Sequence, residues 1–273
     1  MTTISLPDDV LGTLGEGRQA YIAAPSAHGP HVTPELYAWS GGRLWFAAAS
    51  TTLKAKVLDR ERRGGALVAT PGRSVLLHGD VEVHDPRDAK AVLATLRNLP
   101  DVTRASASFV TRNAPDLLAF LGDTARGRLG RRLPPVRVLF ALSPTHAARV
   151  ENDVLTGCWG GWELPAAAEE PDVPAGGVAA VAALPGPVAV PARWFEQGSE
   201  LRVPAGLLDL LALEDAFPMS LVTDEYVAPG PAAKQGTLLR GEGARTDEPG
   251  LVRLDPERIV EWDGVDTSSS PAT

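Results

Sequence analysis

His31–Leu58, "HVTPELYAWSGGRLWFAAASTTLKAKVL", is the stretch on which the fold turns. "HVTPELYAW" alternates apolar and polar residues, "SGG" is a tight-turn signal, and "RLWFAAA" runs back, so an antiparallel hairpin is predicted. "TLKAKVLDRERR" then sets Leu53, Val57 and Leu58 at helical spacing with charges between them. Where strand gives way to helix stand Ser50, Thr51 and Thr52, with Lys54 a turn or less inside.

Two readings of that junction are open. The first N–H groups of a helix lack intrahelical partners and carry the positive end of its dipole, so an anion there meets amides, hydroxyls and an ammonium together. The bland alternative is a Ser/Thr N-cap followed by a solvated lysine.

On either side the same grammar continues. "LPDDVLGTLGEG" reads as a helix and "QAYIAAPSA" as a strand. "GGALVAT", a turn at "PGR" and "SVLLHGDVEVHD" make another hairpin. Helical segments follow from Pro86 and over roughly Arg104–Leu121. "VRVLFAL" and "HAARVE" finish as strands around "SP". Antiparallel strands interrupted by helices predict a small closed barrel in the α+β, mainly β class. No GxGxxG follows a strand, and no GxSxG is present.

The later sequence resembles the earlier. "GPVAVPARWFEQGSELRV" aligns without gaps on "GPHVTPELYAWSGGRLWF", putting Pro191 on Pro34 and Leu201 on Leu44. "MSLVTD" falls on "GALVAT", "TLLRGEGA" on "VLLHGDVE", and "LVRLDPERIVEWDG" on "LFALSPTHAARVEN", with Gly241 on Gly79 and Pro256 on Pro144. An internal duplication follows. The expected organisation is a barrel over 1–150, a linker over 151–177, a second barrel over 178–265 and a disordered tail over 266–273.

The first half resembles the pyridoxamine-phosphate-oxidase-like flavin split barrels, on "GPHVTPELYAW", "GGRLWFAAASTTLKAKVLDRERRGGALVAT" and "RSVLLHGDVEVHDP" in that order, over Gln19–Pro86. That resemblance implies two paired barrels with flavin mononucleotide (FMN) or a deazaflavin in clefts between them. It implies a phosphate held at Ser50, Thr51, Thr52 and Lys54, and a ring edge along His31, Val32, Thr33 and Pro34. Arg73 and Ser74 are further candidates for the phosphate or ribityl region. The expected chemistry is hydride transfer with a small organic substrate, in an oxidoreductase whose two barrels form an intrachain pseudo-dimer. Leu53-Lys54 replaces the oxidase's Arg-Lys pair and Arg73-Ser74 its Arg-Gln pair, which argues against vitamin B6 chemistry. In the second half the gap-free alignment sets Asp209 opposite Thr52 and Leu211 opposite Lys54, so that copy is expected to lack a phosphate grip. The alternatives are a cofactor-free binding or assembly module and a haem-handling relative.

Bulk composition narrows the partners. The formal charge is −8 over 273 residues, which disfavours nucleic acid and anionic membranes. It is unevenly divided: residues 1–150 carry 19 Lys+Arg against 13 Asp+Glu, and 151–273 carry 7 against 21. An anionic ligand is therefore expected on the first half. Cys158 is the single cysteine and has no basic sequence neighbour, so neither a disulfide nor a reactive thiol is expected. Prolines 185, 187 and 191 break the longest apolar run, and the histidines show no paired metal spacing. A cytoplasmic protein is expected, with a small-molecule cofactor and substrate as partners and a homo-oligomer as a further expectation. Trp159 and Trp162 read as packing or as an aromatic wall, and Arg126–Arg132 as a solvated basic loop or a contact for an anionic tail. No side chain is identifiable as a general acid or base.

Overall fold

Strand alternation and Gly/Pro punctuation resolve into fourteen named strands and six helices among the described residues of a computed structural model. Those residues are 4–127, 136–165, 178–183, 187–195, 200–226, 228–230, 234–263 and 266–272. The first half comprises α1 (Asp8–Glu16), β1 (Gln19–Ala24), β2 (His31–Ser40), β3 (Arg43–Ala49), α2 (Leu53–Glu61), β4 (Arg63–Thr70) and β5 (Arg73–His84). It continues through α3 (Ala89–Arg97), α4 (Leu99–Arg112), α5 (Ala114–Ala125), β6 (Arg137–Glu151) and β7 (Val154–Trp159). The second comprises β8 (Val178–Ala183), β9 (Val188–Trp194), β10 (Glu200–Arg202), α6 (Ala205–Leu210), β11 (Ala216–Tyr226), β12 (Lys234–Arg245), β13 (Leu251–Asp263) and β14 (Asp266–Pro271).

The first sheet runs β3-β2-β1-β4-β5-β6-β7, and β3 also pairs with β6, so its first six strands close into a barrel. The second sheet curls through the same order, β10-β9-β8-β11-β12-β13-β14, closed by β10 on β13. Every neighbouring pair is antiparallel. The chain is thus a tandem of two split barrels.

Pairing registers make the duplication exact enough to test residue by residue. Ile22 faces Thr33, and Val181 faces Val190, which aligns with Thr33. Ile22 also faces Ala66 as Val181 faces Leu221. Ala66 faces Leu77 as Leu221 faces Leu239, and Leu77 faces Ala147 as Leu239 faces Ile259. Farther along β6 and β13, Phe140 faces Phe46 as Val252 faces Leu201. Phe46 faces Tyr37 as Leu201 faces Trp194, and the circuit closes on β2 and β9.

Two expected matches shift. Leu201 stands opposite Phe46, not Leu44, because the paired positions Trp194 and Leu201 are two residues closer in sequence than Tyr37 and Phe46. Leu221 stands opposite Ala66, not Leu67. Phe46 to Ala66 and Leu201 to Leu221 span equal lengths of chain, so by count Asp209 stands opposite Lys54 rather than Thr52.

The bulge positions coincide in the two copies. Register breaks between His78 and Gly79 in one sheet and between Arg240 and Gly241 in the other, opposite Pro144 and Pro256. A Cβ on either glycine would collide with the carbonyl oxygen of Ser143 or Asp255.

Other expectations need correction. β6 runs unbroken through Ser143-Pro144 instead of forming two strands, and β7 extends the first sheet past residue 150. The helical segment over 104–121 is two helices, because Pro115 fits a first turn but not a helix interior. Residues 266–271, expected as a disordered tail, form β14 against β13. Of the expected linker, residues 166–177 lie outside the described residues, as does much of the Arg126–Arg132 run. No helix among the described residues is long and apolar enough to cross a membrane.

The first barrel is filled by Val10 and Leu14 of α1, Leu58 of α2, and strand residues such as Ile22, Phe46, Val68, Leu77 and Phe140. A second core lies between the sheets, where Tyr21, Val32, Leu67 and Leu76 meet Val188, Val190, Leu221 and Leu238. β4 packs on β9 and its counterpart β11 on β2, while β1 meets β9 as β8 meets β2. The seam is therefore self-complementary, as an isologous dimer interface is. Gly65 permits the approach, since a Cβ there would collide with the Pro187 carbonyl oxygen.

Candidate functional site

The barrel is split beside β2. That strand pairs with β3 only over Tyr37–Ser40; beyond, its His31–Leu36 stretch pairs with β1 alone, while Ala47–Ala49 pair with β6 alone. The alternation of a strand puts His31, Thr33 and Glu35 on one side of β2, with Val32 and Pro34 on the other. Into the gap comes the start of α2.

Thr52 is the N-cap of α2: its hydroxyl oxygen accepts from the Ala55 N–H at 3.3 Å and donates to the Ala49 carbonyl at 2.8 Å. The Ser50 N–H donates to the Val136 carbonyl at 2.9 Å. Thr51 and Thr52 remain exposed. Lys54 is neither solvated nor turned outward. Its side chain is 2% exposed, and Nζ donates to Thr33 Oγ1 at 2.6 Å and pairs with Glu35. Burial lowers the lysine pKa; the Glu35 carboxylate opposes this, while Arg137 and Lys234 add to the lowering. The anion-seat reading is thereby weakened at its cation, and the capping reading holds for Thr52 but not for Lys54.

The remaining candidates divide. Val32 is fully buried in the seam, and Pro34 faces Tyr21 across β1. Arg73 and Ser74 are not brought to this place. Val75, the neighbour of Ser74, shares a row with Glu35 through Val68 and Ala20, three strand spacings away or about 14 Å. Arg73 instead pairs with Glu16 of α1 at 2.8 Å.

The second sheet completes the site. Arg240 of β12 donates through Nη2 to His31 Nδ1. A guanidinium only donates, so the imidazole accepts at Nδ1 and carries its proton on Nε2. Burial, with Lys54 and Arg240 adding, pushes the His31 pKa down to about 3. Alongside, the Tyr21 hydroxyl donates to Asp224 Oδ1 at 2.7 Å. Burial raises the pKa of both partners, and for Asp224 the Tyr21 bond, Lys234 and Gln19 oppose it. Gln19 Oε1, Ser220 Oγ and Arg240 Nε are buried with no hydrogen-bond partner.

The symmetry-related place is different. His31, Thr33 and Glu35 correspond to Val188, Val190 and Ala192, and Lys54 to Asp209, which pairs with Arg245 at 2.5 Å. Arg240 and its cross-strand partner Arg258 correspond to His78 and His146. Those rings lie 5.8 Å apart, with Trp162 at 6.4 Å and 5.4 Å from them, so Trp162 walls this side. Burial, with His146 adding, pushes His78 down to about 4. Cys158 packs against the seam core, and burial raises its thiol pKa. No group of three or more metal-ligating side chains occurs among the described residues.

No family model matches the chain, and no curated protein matches it. Similar solved structures include a pyridoxamine 5'-phosphate oxidase-related, FMN binding protein from Nostoc punctiforme, 15% identical, covering 55% of this chain and 87% of that one, with a TM-score of 0.39. A conserved hypothetical protein, Rv2991 from Mycobacterium tuberculosis, is 17% identical over 56% of this chain and 89% of that one, TM-score 0.38. A heme binding protein from Mycobacterium smegmatis is 12% identical over 54% and 55%, TM-score 0.35. By its own strand order, barrel closure and repeated bulge, the chain is a split barrel in two copies.

Proposed function

We propose that the chain is an FMN- or deazaflavin-dependent oxidoreductase with one cofactor cleft, on the β2–α2 side of the seam. The observation that carries this is the asymmetry of the two symmetry-related places. One gathers His31, Thr33, Glu35, Lys54 and Arg240; the other replaces the three β2 residues by valine, valine and alanine. Buried polar atoms without partners, Arg240 Nε and Ser220 Oγ, fit a polar ligand at this seam.

His31 and Thr33 would line the ring edge, with Val32 and Pro34 backing the strand from its other side. Ser50, Thr51 and Thr52 would stand at the phosphate end with the first amides of α2, and Lys54 behind them, its charge balanced by Glu35. Bound flavin supplies hydride transfer, while the protein supplies orientation and exclusion of water. Tyr21 and Asp224, both held toward their protonated forms by burial, are the groups placed to keep a proton beside that strand.

One observation favours a second reading, a cofactor-free binding module: the Lys54–Glu35 pair already satisfies the cation expected at a phosphate. Titration with FMN and with a deazaflavin, followed by absorption and fluorescence, separates the two. One tight site per chain for either cofactor is expected. Two equivalent sites would defeat the one-cleft assignment, and no binding of either would leave the module.

A further inference from the structure

Among the described residues, Arg240 is a guanidinium without a counter-charge. It takes part in no ion pair among the described residues, and the charge that acts on it is another cation, Arg258, its cross-strand partner. Arg258 is held by Ser269 of β14 through a 2.8 Å bond from Nε. The acids of the seam are engaged elsewhere, Asp224 with Tyr21 and Glu35 with Lys54. A partly buried cation lacking a carboxylate is costly, and an oxyanion on it offsets that cost.

The donors around it converge. Arg240 gives Nη2 to His31, and its Nε is buried with no partner. His31, accepting at Nδ1, has its proton on Nε2, a further donor at this place. Ser220, directly across from Arg240 on β11 and fully buried, has a hydroxyl with no partner. Cross-strand partners share a face of the sheet, so the hydroxyl and the guanidinium stand side by side.

We propose that Arg240, His31 and Ser220 form a receptor for the oxyanion of a small organic ligand, a carboxylate or phosphate, at the seam between the two sheets. The site is supplied mainly by the second copy, the acidic half of the chain. It is single, because the symmetry-related position carries His78 and His146 in place of the two arginines. It shares His31 and Arg240 with the proposed cofactor cleft, and its test is made on the flavin-free chain.

Inorganic phosphate and acetate serve as probes, at ionic strength held constant with chloride, read by calorimetry and thermal unfolding of the full chain. One site per chain and a raised melting temperature are expected for at least one probe. Arg240→Gln is expected to weaken binding by about tenfold or more, the loss of one charge-assisted contact. On titration of the wild-type chain the Nε2 ¹⁵N resonance of His31 is expected to shift. No stabilisation beyond chloride, Arg240→Gln affinity within about twofold of wild type, or a His31 resonance that stays put while ions bind would each overturn the assignment. Should Arg240→Gln fail to fold, the His31 resonance of the wild-type chain decides alone.

Discussion

The Tyr21 hydroxyl donates to the Asp224 carboxylate at 2.7 Å across the seam, joining β1 of one sheet to β11 of the other over 203 residues of sequence. Tyr21 faces Pro34 on the strand that borders the candidate site, so a bond that docks the two copies also abuts the place where chemistry is proposed. Tyr21→Phe leaves the buried Asp224 without this donor and is expected to cost about 1–3 kcal/mol. Asp224→Asn keeps an acceptor and should cost less. In a double-mutant cycle read by urea unfolding, the double variant should lose clearly less than the two singles added. Additive losses would show that the pair does not hold the seam.

Lys54 is a test of a buried pair with one partly exposed member: the lysine is 2% exposed and Glu35 22%. Removing the lysine leaves a carboxylate in the split of the barrel. Breaking a buried pair from one side costs roughly 3–5 kcal/mol, and the exposure of Glu35 places Lys54→Met near the lower end. Lys54→Met combined with Glu35→Leu should recover most of the loss in guanidinium unfolding. If the double variant is as unstable as the single, the lysine is there for packing and not for its partner.

Local structure was legible because its signals are local. The hairpins announce themselves through Gly41-Gly42 and Pro71-Gly72, and the copies through Gly79/Pro144 and Gly241/Pro256, which mark one bulge twice. A gap-free match cannot see that Trp194 and Leu201 are two residues closer than Tyr37 and Phe46, which displaces Leu201 by two places. In β11 the match of like residues sets Leu221 on Leu67, one place from its counterpart Ala66. The seam was not legible. Arg240 meets His31 from 209 residues away, and it comes from the half whose net charge pointed away from an anion. Lys54 was misplaced for a related reason. Helical phase marks it as first-turn, but only the opened edge of β2 offers Glu35 and Thr33 as partners.

Gly79 and Gly241 should be equally intolerant of a side chain. Each lies where a Cβ would meet a backbone carbonyl of the neighbouring strand, and backbone cannot swing aside as a side chain can. Gly79→Ala and Gly241→Ala are each expected to destabilise by about 1–3 kcal/mol through strain. Gly72→Ala instead tests the positive-φ turn, φ 73°, at a smaller expected cost of about 1 kcal/mol. Thermal melts of the three variants rank them. A Gly241→Ala chain as stable as wild type would mean that the second bulge is not the structural twin of the first.

His31 makes stability depend on pH in a direction that follows from its burial. Its pKa falls from 6.5 in the unfolded chain to about 3 in the folded one, so between those values the unfolded state binds more protons. The contribution is complete above pH 6.5 and is lost as pH falls toward 3, by at most about 1.4 kcal/mol per unit. His78, pushed down to about 4, adds a second group over most of the same window. Urea midpoints at pH 7, 6 and 5 should therefore fall steadily in the wild-type chain. They should fall less steeply in His31→Gln, which leaves His78 and the buried His84, lowered by burial as well, as the other imidazoles. Unchanged steepness in His31→Gln would mean that the ring is free to take up a proton beside Arg240, and the seam would then be open to water where the structure closes it.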